Sequence, residues 1–532
     1  MLGFKEVLPE KIFTETTTNI KNVAVDSLML EAASASDDSV PEKDTLTHTK
    51  ITFEETYGVK FPAEDFDDYK GFQHLIQFYE KLMQLEKTGE GNVRIAYFGD
   101  SMTDGDMIVK DLRTSMQNRF GGEGVGFVSI ASESAQSRST VTHQFSTNWK
   151  TQSYLNVKHP TRPFGVNGRV FFVKHDTVNT TWVRYAGTKL NHLTSLNNPT
   201  LFYGRSGNRD ASLRVVVGKD TLVKKLNPSS LLNTLKLSDN YKGFKADFIK
   251  ADSIPFYGFN FDNGRGVHID NFSTRGNSGL PNSTFNASLM KAFNDKLGYD
   301  LIVLQYGTNI LNNGSLKYNW YERSMTHVVE HLRECFPGTT ILIISTADKS
   351  TKYGTEMKTD SAVVPVAMAQ KRYAVKTNSA FINLYTLMGG DGSMVRWVED
   401  EPARANKDYT HFNFRGSKQI ADLIYGQLNS GYEKYKALRG GKPLPKEVID
   451  TAAPVAKPVP QAPAAKPADS FKTVVKKTTP ATVTPKVTTP AKGTTPALPK
   501  DSAKKPATQP KETKVKPVVP VVPPVKDTTN AQ

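Results

Sequence analysis

The chain has 532 residues, a formal net charge of +15 and a single cysteine, Cys335. This length is too great for one compact core, so two or three folded units and some unfolded chain are expected. One cysteine excludes an internal disulfide and a thiolate metal cluster. No apolar run approaches the length of a membrane helix, and the N-terminus lacks the pattern of a signal peptide.

The positive charge is concentrated in the last part of the chain. Residues 441–532 contain 16 lysines, no arginine and six acidic residues, and they hold 18 of the 30 prolines. Such a segment lacks apolar periodicity, and its prolines lack the backbone N–H groups that β-sheet hydrogen bonds require. A disordered, extended tail is therefore predicted. A positive tail can lie along an acidic polymer or a membrane surface, although a plain spacer is an equal alternative. The rest of the chain carries only +5 and shows no basic face with interleaved aromatic residues, so nucleic acid is not an expected partner.

Residues 1–65 are rich in Thr, Ser, Asp and Glu and show no apolar periodicity. This composition predicts a poorly ordered N-terminal arm. A helical pattern over 68–86 follows, with apolar residues at the spacing of one helix face. The α/β part of the chain is therefore predicted to begin near residue 66.

An apolar run with an aromatic pair, 95–98, predicts a buried strand. It ends in Gly99-Asp100-Ser101, and a helical pattern over 108–120 follows. Open α/β sheets place their ligand sites at the carboxyl ends of strands, so Ser101 is a candidate nucleophile. An ordinary strand-to-helix turn also uses Gly, Asp and Ser, so this motif alone does not decide between the two.

The composition and periodicity of the sequence change between residues 148 and 262. Short β-rich runs are separated there by Asn, Gly and Ser clusters, with no helical pattern between them. This predicts a β-sandwich, inserted into the surrounding α/β pattern. Aromatic residues on sandwich loops often stack on sugars. Trp149, Trp182 and Tyr203 are the candidate glycan contacts, and each could equally belong to the core.

Strands and helices alternate again over 263–440. Buried strands are predicted at 267–272, 299–306, 340–345 and 380–384, with helical patterns after each. This alternation is typical of a parallel sheet covered by helices on both faces. The predicted fold class is therefore α/β with an inserted β-sandwich. The predicted parts are an arm over 1–65, α/β segments over 66–147 and 263–440, the insert over 148–262, and the tail over 441–532.

Two patterns resemble metal sites but have simpler explanations. Asp104 and Asp106 suit the positive end of the helix that follows them, and no further ligand spacing continues from them. His327 and His331 have the spacing of a zinc pair. However, Glu330 adjoins His331, whereas the zinc-binding helix motif has its glutamate next to the first histidine. No metal site and no cofactor are predicted.

A nucleophilic serine needs a base, a carboxylate that orients the base, and donors for the oxyanion. The chain offers each at a predicted strand end or in the closing loop. Gly276 follows the strand at 267–272, and Asn309 follows the strand at 299–306. Asp408 and His411 lie three residues apart before the last helix, where one short turn can present both.

Four motifs in this order resemble the blocks of the SGNH (GDSL-like) hydrolase superfamily. The motifs are Gly99-Asp100-Ser101, Asn271-Phe272-Ser273-Thr274-Arg275-Gly276, Gly307-Thr308-Asn309 and Asp408-Tyr409-Thr410-His411. A β-domain between the first two blocks is similar to the bacterial peptidoglycan O-acetylesterase branch, whose insert resembles a carbohydrate-binding module. The resemblance covers about residues 68–435. Gly279 is an alternative to Gly276 in the second block, and Met102 stands where that branch often has histidine.

This resemblance implies a three-layer, flavodoxin-like sheet and a Ser-His-Asp esterase without a metal or organic cofactor. Ser101 would attack an acetyl ester, with His411 as base and Asp408 as its orienting carboxylate. The amides of Ser101 and Gly276 and the side chain of Asn309 would hold the oxyanion. The expected substrate is an acetylated cell-envelope glycan, such as peptidoglycan, and the expected location is the periplasm or cell envelope. Two alternatives remain open: an O-acetyltransferase with a glycan hydroxyl as acceptor, and a glycan-binding scaffold with a vestigial site.

Overall fold

The computed structural model describes residues 26–34, 49–174, 180–237, 240–311 and 316–440. The predicted tail and most of the predicted arm lie outside the described residues. The described helices are α1 (Ser27–Ser34), α2 (Ile76–Thr88), α3 (Val109–Phe120), α4 (Ala287–Leu297), α5 (Asn319–Cys335), α6 (Val363–Lys376), α7 (Leu384–Met388), α8 (Ser393–Glu399) and α9 (Phe414–Arg439).

The strands that precede the second α/β segment are mostly short. They are β1 (Lys50–Ile51), β2 (Glu64–Asp65), β3 (Asn92–Gly99), β4 (Gly126–Ser129), β5 (Thr142–Phe145), β6 (Trp149–Ser153), β7 (Arg169–Val173), β8 (Thr181–Ala186), β9 (Thr200–Gly204), β10 (Ser212–Val217), β11 (Asp220–Lys225), β12 (Leu232–Lys236), β13 (Gly243–Ile249) and β14 (Phe256–Phe261). Those that follow are β15 (Gly266–Asn271), β16 (Leu301–Gln305), β17 (Thr340–Ile344), β18 (Ser350–Tyr353), β19 (Glu356–Thr359) and β20 (Ala380–Ile382).

A five-stranded parallel sheet forms the centre of the α/β part. Its spatial order is β15-β3-β16-β17-β20, and every neighbouring pair is parallel. Numbered by appearance in the chain, the order is 2-1-3-4-5, which is the flavodoxin-like order. β16 and β17 are buried at every position, and β3 at all but its first. Strands buried on both faces read as continuous apolar runs, which is why the sequence predicted them.

The helices of the α/β part fall into two contacting groups. α2, α3 and α9 contact one another, and α5 contacts both α4 and α6. The first group contains the helices next to β3 and after β20, and the second contains those after β15, β16 and β17. The sheet therefore lies between two helical layers, as predicted. Within the described ranges, none of the helices combines the length and apolarity that crossing a bilayer requires.

Two antiparallel sheets lie between α3 and β15 in the chain and share one apolar core. One sheet has the order β11-β10-β13-β8-β5, and the other has β12-β9-β14-β7-β6, with β4 also paired to β14. Two of these strands, β4 and β5, precede residue 148, where the sandwich was expected to begin. β5 reads Thr-His-Gln-Phe, so its composition gave little sign of a buried strand. The sandwich strands thus extend from 126 to 261.

The sheet that contains β7 and β9 is buried on both faces. Phe171 points into the sandwich core, whereas its neighbours Val170 and Phe172 belong to the core of the α/β part. Successive side chains of a strand point to opposite faces, so this alternation marks a sheet with two packed sides. Phe202 likewise stacks on Phe293 of α4, with ring centroids 5.7 Å apart. The sandwich and the α/β part therefore share a continuous apolar interface.

The structure differs from the predicted arm for residues 49–65. Phe53, Val59 and Phe61 are buried in the α/β core. Gln73 holds the segment through its side chain, which accepts from the Phe61 amide at 2.7 Å and donates to the Val59 carbonyl at 3.2 Å. These contacts follow no helical or strand period, so the sequence pattern gave no sign of them.

Residues 26–34 also fall within the predicted arm, and α1 (Ser27–Ser34) lies within them. Just before it, Asp26 is 4% exposed. Its Oδ2 accepts hydrogen bonds from the Ser278 amide at 3.0 Å and the Ser278 hydroxyl at 2.5 Å. This segment therefore contacts the loop that follows Gly276.

Candidate active site

The turn after β3 presents Ser101 at the carboxyl edge of the parallel sheet. A side chain at Gly99 would overlap the Thr103 hydroxyl, so only glycine allows the chain to turn so closely. Asp100 Oδ1 accepts from the Met102 amide at 2.9 Å and fixes the turn. β3 and β16 are the first and third strands of the 2-1-3-4-5 order, and ligand sites of such sheets lie where that order reverses. Ser101 follows one of these strands and Asn309 the other.

Three predicted residues form one hydrogen-bonded chain, although Ser101 lies 310 positions from His411. Ser101 Oγ lies 2.9 Å from His411 Nε2, and His411 Nδ1 lies 2.8 Å from Asp408 Oδ2. Both distances fall in the range expected for a nucleophile, its base and an orienting group. The imidazole side chain is 40% exposed and the carboxylate side chain 50%, so the site is open to solvent from this side.

The loop before α9 sets the orientation of the imidazole. Asp408 Oδ1 accepts from the amides of Thr410 and His411 at 3.0 and 2.9 Å. Partial burial raises the pKa of Asp408, but the hydrogen bonds from the His411 ring and from these amides outweigh it and leave the pKa below its ordinary value. An ionised carboxylate only accepts hydrogen bonds, so His411 Nδ1 donates to it. The lone pair on Nε2 then faces Ser101 Oγ.

Two backbone amides near Ser101 are available as donors. Gly276 has φ of +79° in a turn closed by the Asn277 amide on the Thr274 carbonyl at 3.3 Å. In the described part of the chain, no acceptor is hydrogen-bonded to the amide of Ser101 or of Gly276. The alternative donor is occupied, because the Gly279 amide donates to Asn277 Oδ1 at 2.9 Å. Of the two glycines considered for the second motif, Gly276 is therefore the one whose amide has no acceptor among the described residues.

Asn309 is held by the loop that carries Gly276. Its Nδ2 donates to the Asn277 carbonyl at 3.0 Å and approaches Asp100 Oδ2 at 3.4 Å. The Asn277 side chain in turn donates to Tyr154 Oη at 2.8 Å, and Tyr154 follows β6 of the sandwich. Asn277 and Tyr154 are 123 positions apart and neither stands in a recognisable motif, so sequence reasoning missed both.

Asp100 is a buried carboxyl beside this site, with an exposed fraction of 1%. Burial raises its pKa from 3.8 to about 6, against the opposing effects of the Met102 amide and of His411. The ionised form is therefore disfavoured in the folded chain.

This raised pKa predicts a pH-dependent stability. Between pH 3.8 and about 6 the unfolded chain loses the Asp100 proton before the folded chain does, so the free energy of unfolding falls as pH rises. The full effect is about 3 kcal/mol. Asp100→Asn cannot ionise, so urea unfolding between about pH 4 and pH 7 is expected to show the wild type losing this stability relative to the variant. A constant difference over that range would contradict the raised pKa.

The two acidic residues after Ser101 are engaged by arginines. Asp106 forms a bidentate pair with Arg113 at 2.8 and 3.0 Å and contacts Arg138 at 3.3 Å. Although burial raises the pKa of Asp106, these guanidinium groups hold it far below its ordinary value. Asp104 pairs with Arg275 at 2.7 Å. These carboxylates therefore serve structural ion pairs, and neither lies in the first turn of α3, whose N-cap residue is Ile108.

The histidine pair on α5 has ordinary surface and loop contacts. His327 Nδ1 lies 3.3 Å from Glu330, and His331 Nε2 lies 2.9 Å from the Phe285 carbonyl. Within the described ranges, no three or more His, Cys, Asp or Glu residues are grouped to hold a metal ion.

The three aromatic residues predicted as glycan contacts lie in the sandwich. Tyr203 is 3% exposed and belongs to its core, where its ring is not open to a sugar. Trp149 packs edge-on against Phe248 with centroids 4.9 Å apart. Trp182 is partly exposed, and the Lys245 ammonium lies 5.3 Å from its ring centroid. The hydrogen-bonded site around Ser101 includes none of the three.

Comparison with known proteins identifies solved structures of the same fold. A peptidoglycan O-acetylesterase matches with 22% sequence identity and a TM-score of 0.55, over 67% of this chain and 96% of its own. The fold resembles that of this O-acetylesterase. The resemblance to the peptidoglycan O-acetylesterase branch, predicted from the motifs and the insert, is thereby confirmed at the level of the fold.

Other matches to solved structures are weaker. A family two carbohydrate esterase from Cellvibrio japonicus has 9% identity and a TM-score of 0.22, over 55% of this chain and 98% of its own. An acetyl xylan esterase has 16% identity and a TM-score of 0.22, over 30% of this chain and 80% of its own. No protein-family model and no curated protein sequence matches the chain.

Proposed function

We propose that this protein is a serine esterase that removes acetyl groups from a carbohydrate. The observation that carries the proposal is the hydrogen-bonded chain from Ser101 through His411 to Asp408, together with the Ser101 and Gly276 amides, which have no acceptor among the described residues. A surface serine in an ordinary turn needs none of these partners. The shared fold with a peptidoglycan O-acetylesterase supports an acetylated glycan, with peptidoglycan as a candidate, and hence a location in the cell envelope.

The reaction proceeds in two displacements. Ser101 Oγ attacks the acetyl carbonyl carbon while His411 Nε2 accepts the hydroxyl proton, and Asp408 stabilises the resulting imidazolium. The oxyanion receives hydrogen bonds from the Ser101 and Gly276 amides and from Asn309 Nδ2, which gives up its longer contact, at 3.4 Å to Asp100 Oδ2. When the intermediate collapses, the sugar oxygen leaves with the proton from His411. Water, activated by His411, then hydrolyses the acetyl-serine and releases acetate.

The O-acetyltransferase is the alternative that uses the same residues, with a glycan hydroxyl in place of water. Both reactions pass through the same acetyl-serine, and the open imidazole side of the site favours water as acceptor. A scaffold with a vestigial site would not require the intact hydrogen-bonded chain.

The proposal is tested by incubating the protein with O-acetylated peptidoglycan, acetylated xylan and acetylated chitooligosaccharides. Free acetate is measured together with transfer to an added unacetylated oligosaccharide. Acetate release as the main product is expected, and predominant transfer would favour the acetyltransferase. If neither acetate nor a transfer product formed from any of these substrates, the result would support the scaffold.

Asn309→Ala is expected to lower kcat for acetyl-ester hydrolysis by about 10²- to 10³-fold, the usual loss for one oxyanion donor. KM should change little, because the bond to the oxyanion strengthens in the transition state. Steady-state kinetics with 4-methylumbelliferyl acetate measure both constants. An unchanged kcat would mean that the amides of Ser101 and Gly276 hold the oxyanion without Asn309.

A further inference from the structure

A small polar cavity lies between the sandwich and the turn that carries Ser101. Its volume is about 40 Å³, and the residues that line it include Ser273, Thr274, Arg138 and Arg169. The Thr274 amide donates to the Gly99 carbonyl at 3.1 Å, and Ser273 Oγ lies 2.6 Å from Thr103 Oγ1. The cavity therefore lies at the carboxyl ends of β3 and β15, and its lining includes Asp104, three residues after Ser101 in the chain.

The charged groups around this cavity do not balance. Arg113 and Arg138 share a single carboxylate, that of Asp106. Asp104, which also lines the cavity, is paired with Arg275.

Arg169 has no carboxylate within salt-bridge distance among the described residues. Of the charged residues that line the cavity, Arg138 and Arg169 carry guanidinium groups and Asp104 carries a carboxylate. Arg138 and Asp104 have partners outside the lining, in Asp106 and Arg275. The charge of Arg169 is therefore the uncompensated one, and an anion is its complementary ligand.

The two arginines that line the cavity, Arg138 and Arg169, are both partly buried. The Arg138 side chain is 12% exposed, and its burial lowers its pKa below the ordinary value although Asp106 acts in the opposite direction. A buried charge without a full partner is costly. An anionic ligand bound in the cavity would offset that cost.

The cavity also has the size and hydrogen-bonding groups for a small anion. One water needs about 10–15 Å³ of such space, so the cavity can take two or three waters or a carboxylate. Ser129 and Asn167 line it and are hydrogen-bonded to each other at 2.8 Å. Guanidinium and hydroxyl donors together match the oxygens of a carboxylate.

We infer that this cavity binds a carboxylate carried by the acetylated sugar, so that the enzyme prefers acidic glycan esters to neutral ones. The inference rests on the proposed esterase function and names its substrate class. Arg169 is the residue that contacts the carboxylate most directly, because no group of the described chain neutralises it. The sandwich thereby supplies part of the substrate site.

The test compares esters that differ only in charge. Suitable pairs are 6-O-acetyl-N-acetylmuramic acid with its methyl ester, and 3-O-acetyl-galacturonic acid with its methyl ester. For at least one pair, kcat/KM of the wild type is expected to be about tenfold to a hundredfold higher for the acid, the range of a charge-assisted hydrogen bond. Arg169→Gln should abolish this preference, and Arg169→Lys should retain part of it.

Arg184→Gln is the matched control, because it removes the same charge from an exposed position on β8 of the same sandwich. It should keep the preference of the wild type. Equal kcat/KM within both pairs for the wild type, or a preference that survives in Arg169→Gln, would overturn the inference. If hydrolysis persists in Ser101→Ala, the proposed esterase site itself is wrong, so the two failures are distinguishable. Thermal unfolding of Arg169→Gln confirms that the variant is folded.

Discussion

Replacing Ser101 by alanine is expected to lower kcat for acetyl-ester hydrolysis by about 10⁴- to 10⁶-fold, the loss seen when a serine triad loses its nucleophile. The Ser101 hydroxyl is the group that His411 Nε2 contacts at 2.9 Å. Alanine has no hydroxyl that His411 can deprotonate, so the attacking nucleophile is lost. The side chain lies at the open end of the sheet, so the thermal unfolding temperature should change little. Acetate release and circular dichroism measure the two effects.

The triad also predicts a non-additive result. His411→Ala should cause nearly the same loss as Ser101→Ala, and the double variant should be no worse than either, because the residues act as one unit. Ser361→Ala, at an exposed serine before α6, is the control and should keep full activity. Labelling with a fluorophosphonate followed by mass spectrometry should modify Ser101 in the wild type. Substantial turnover in Ser101→Ala, or a label on another serine, would refute the nucleophile assignment.

The core of the α/β part and the candidate triad could be predicted from sequence for a clear reason. Strands that are buried on both faces are continuous apolar runs, and β3, β16 and β17 are of this kind. The Gly99-Asp100-Ser101 turn follows one of them, and Asp408 and His411 are close enough in sequence to share one turn. Each of these strands and turns could be predicted from its own local sequence, whereas the contact between His411 and Ser101 depends on the fold.

Other elements left no local signal. β11 is exposed at nearly every position and owes its conformation to pairing with β10. Tyr154 reads as an ordinary aromatic residue of a β-rich region, yet it accepts a hydrogen bond from the Asn277 side chain and so supports the loop of Gly276. Contacts between segments this distant in sequence leave no periodic pattern. The sequence therefore predicted sugar binding for the sandwich, and did not predict that the sandwich supports the loop of Gly276.

The junction between sandwich and α/β part depends on one buried arginine of β3. Arg94 is 1% exposed, and its Nε and Nη2 donate to the two oxygens of Asp270 at 2.8 and 2.9 Å. Its Nη1 donates to Asp262, just after β14, at 2.6 Å. Asp270 Oδ1 also accepts from the amide of Phe127 in β4, at 2.8 Å. The network therefore joins both ends of the sandwich to two strands of the parallel sheet.

Arg94→Leu is expected to lower the free energy of unfolding by about 3–5 kcal/mol, the usual cost of breaking a buried ion pair. The leucine fills much of the space, but Asp262 and Asp270 would remain buried without their counter-charge. Urea unfolding measures the loss, and Arg184→Leu at an exposed position on β8 should change stability by no more than about 0.5 kcal/mol.

The pH dependence of this loss tests its electrostatic origin. Burial raises the pKa of Asp262, but Arg94 outweighs burial and holds the pKa well below its ordinary value, so in the wild type this carboxylate contributes stability that is lost as pH falls through the folded pKa. In Arg94→Leu the largest opposing cause is gone, and His268 and the Asn260 side chain are left to counter the burial, so Asp262 takes up a proton more readily than in the wild type. The variant should therefore recover stability relative to the wild type as pH falls from about 7 to about 4. A deficit that stays constant over this range would mean that lost packing, and not unpaired buried charge, sets the cost of removing Arg94.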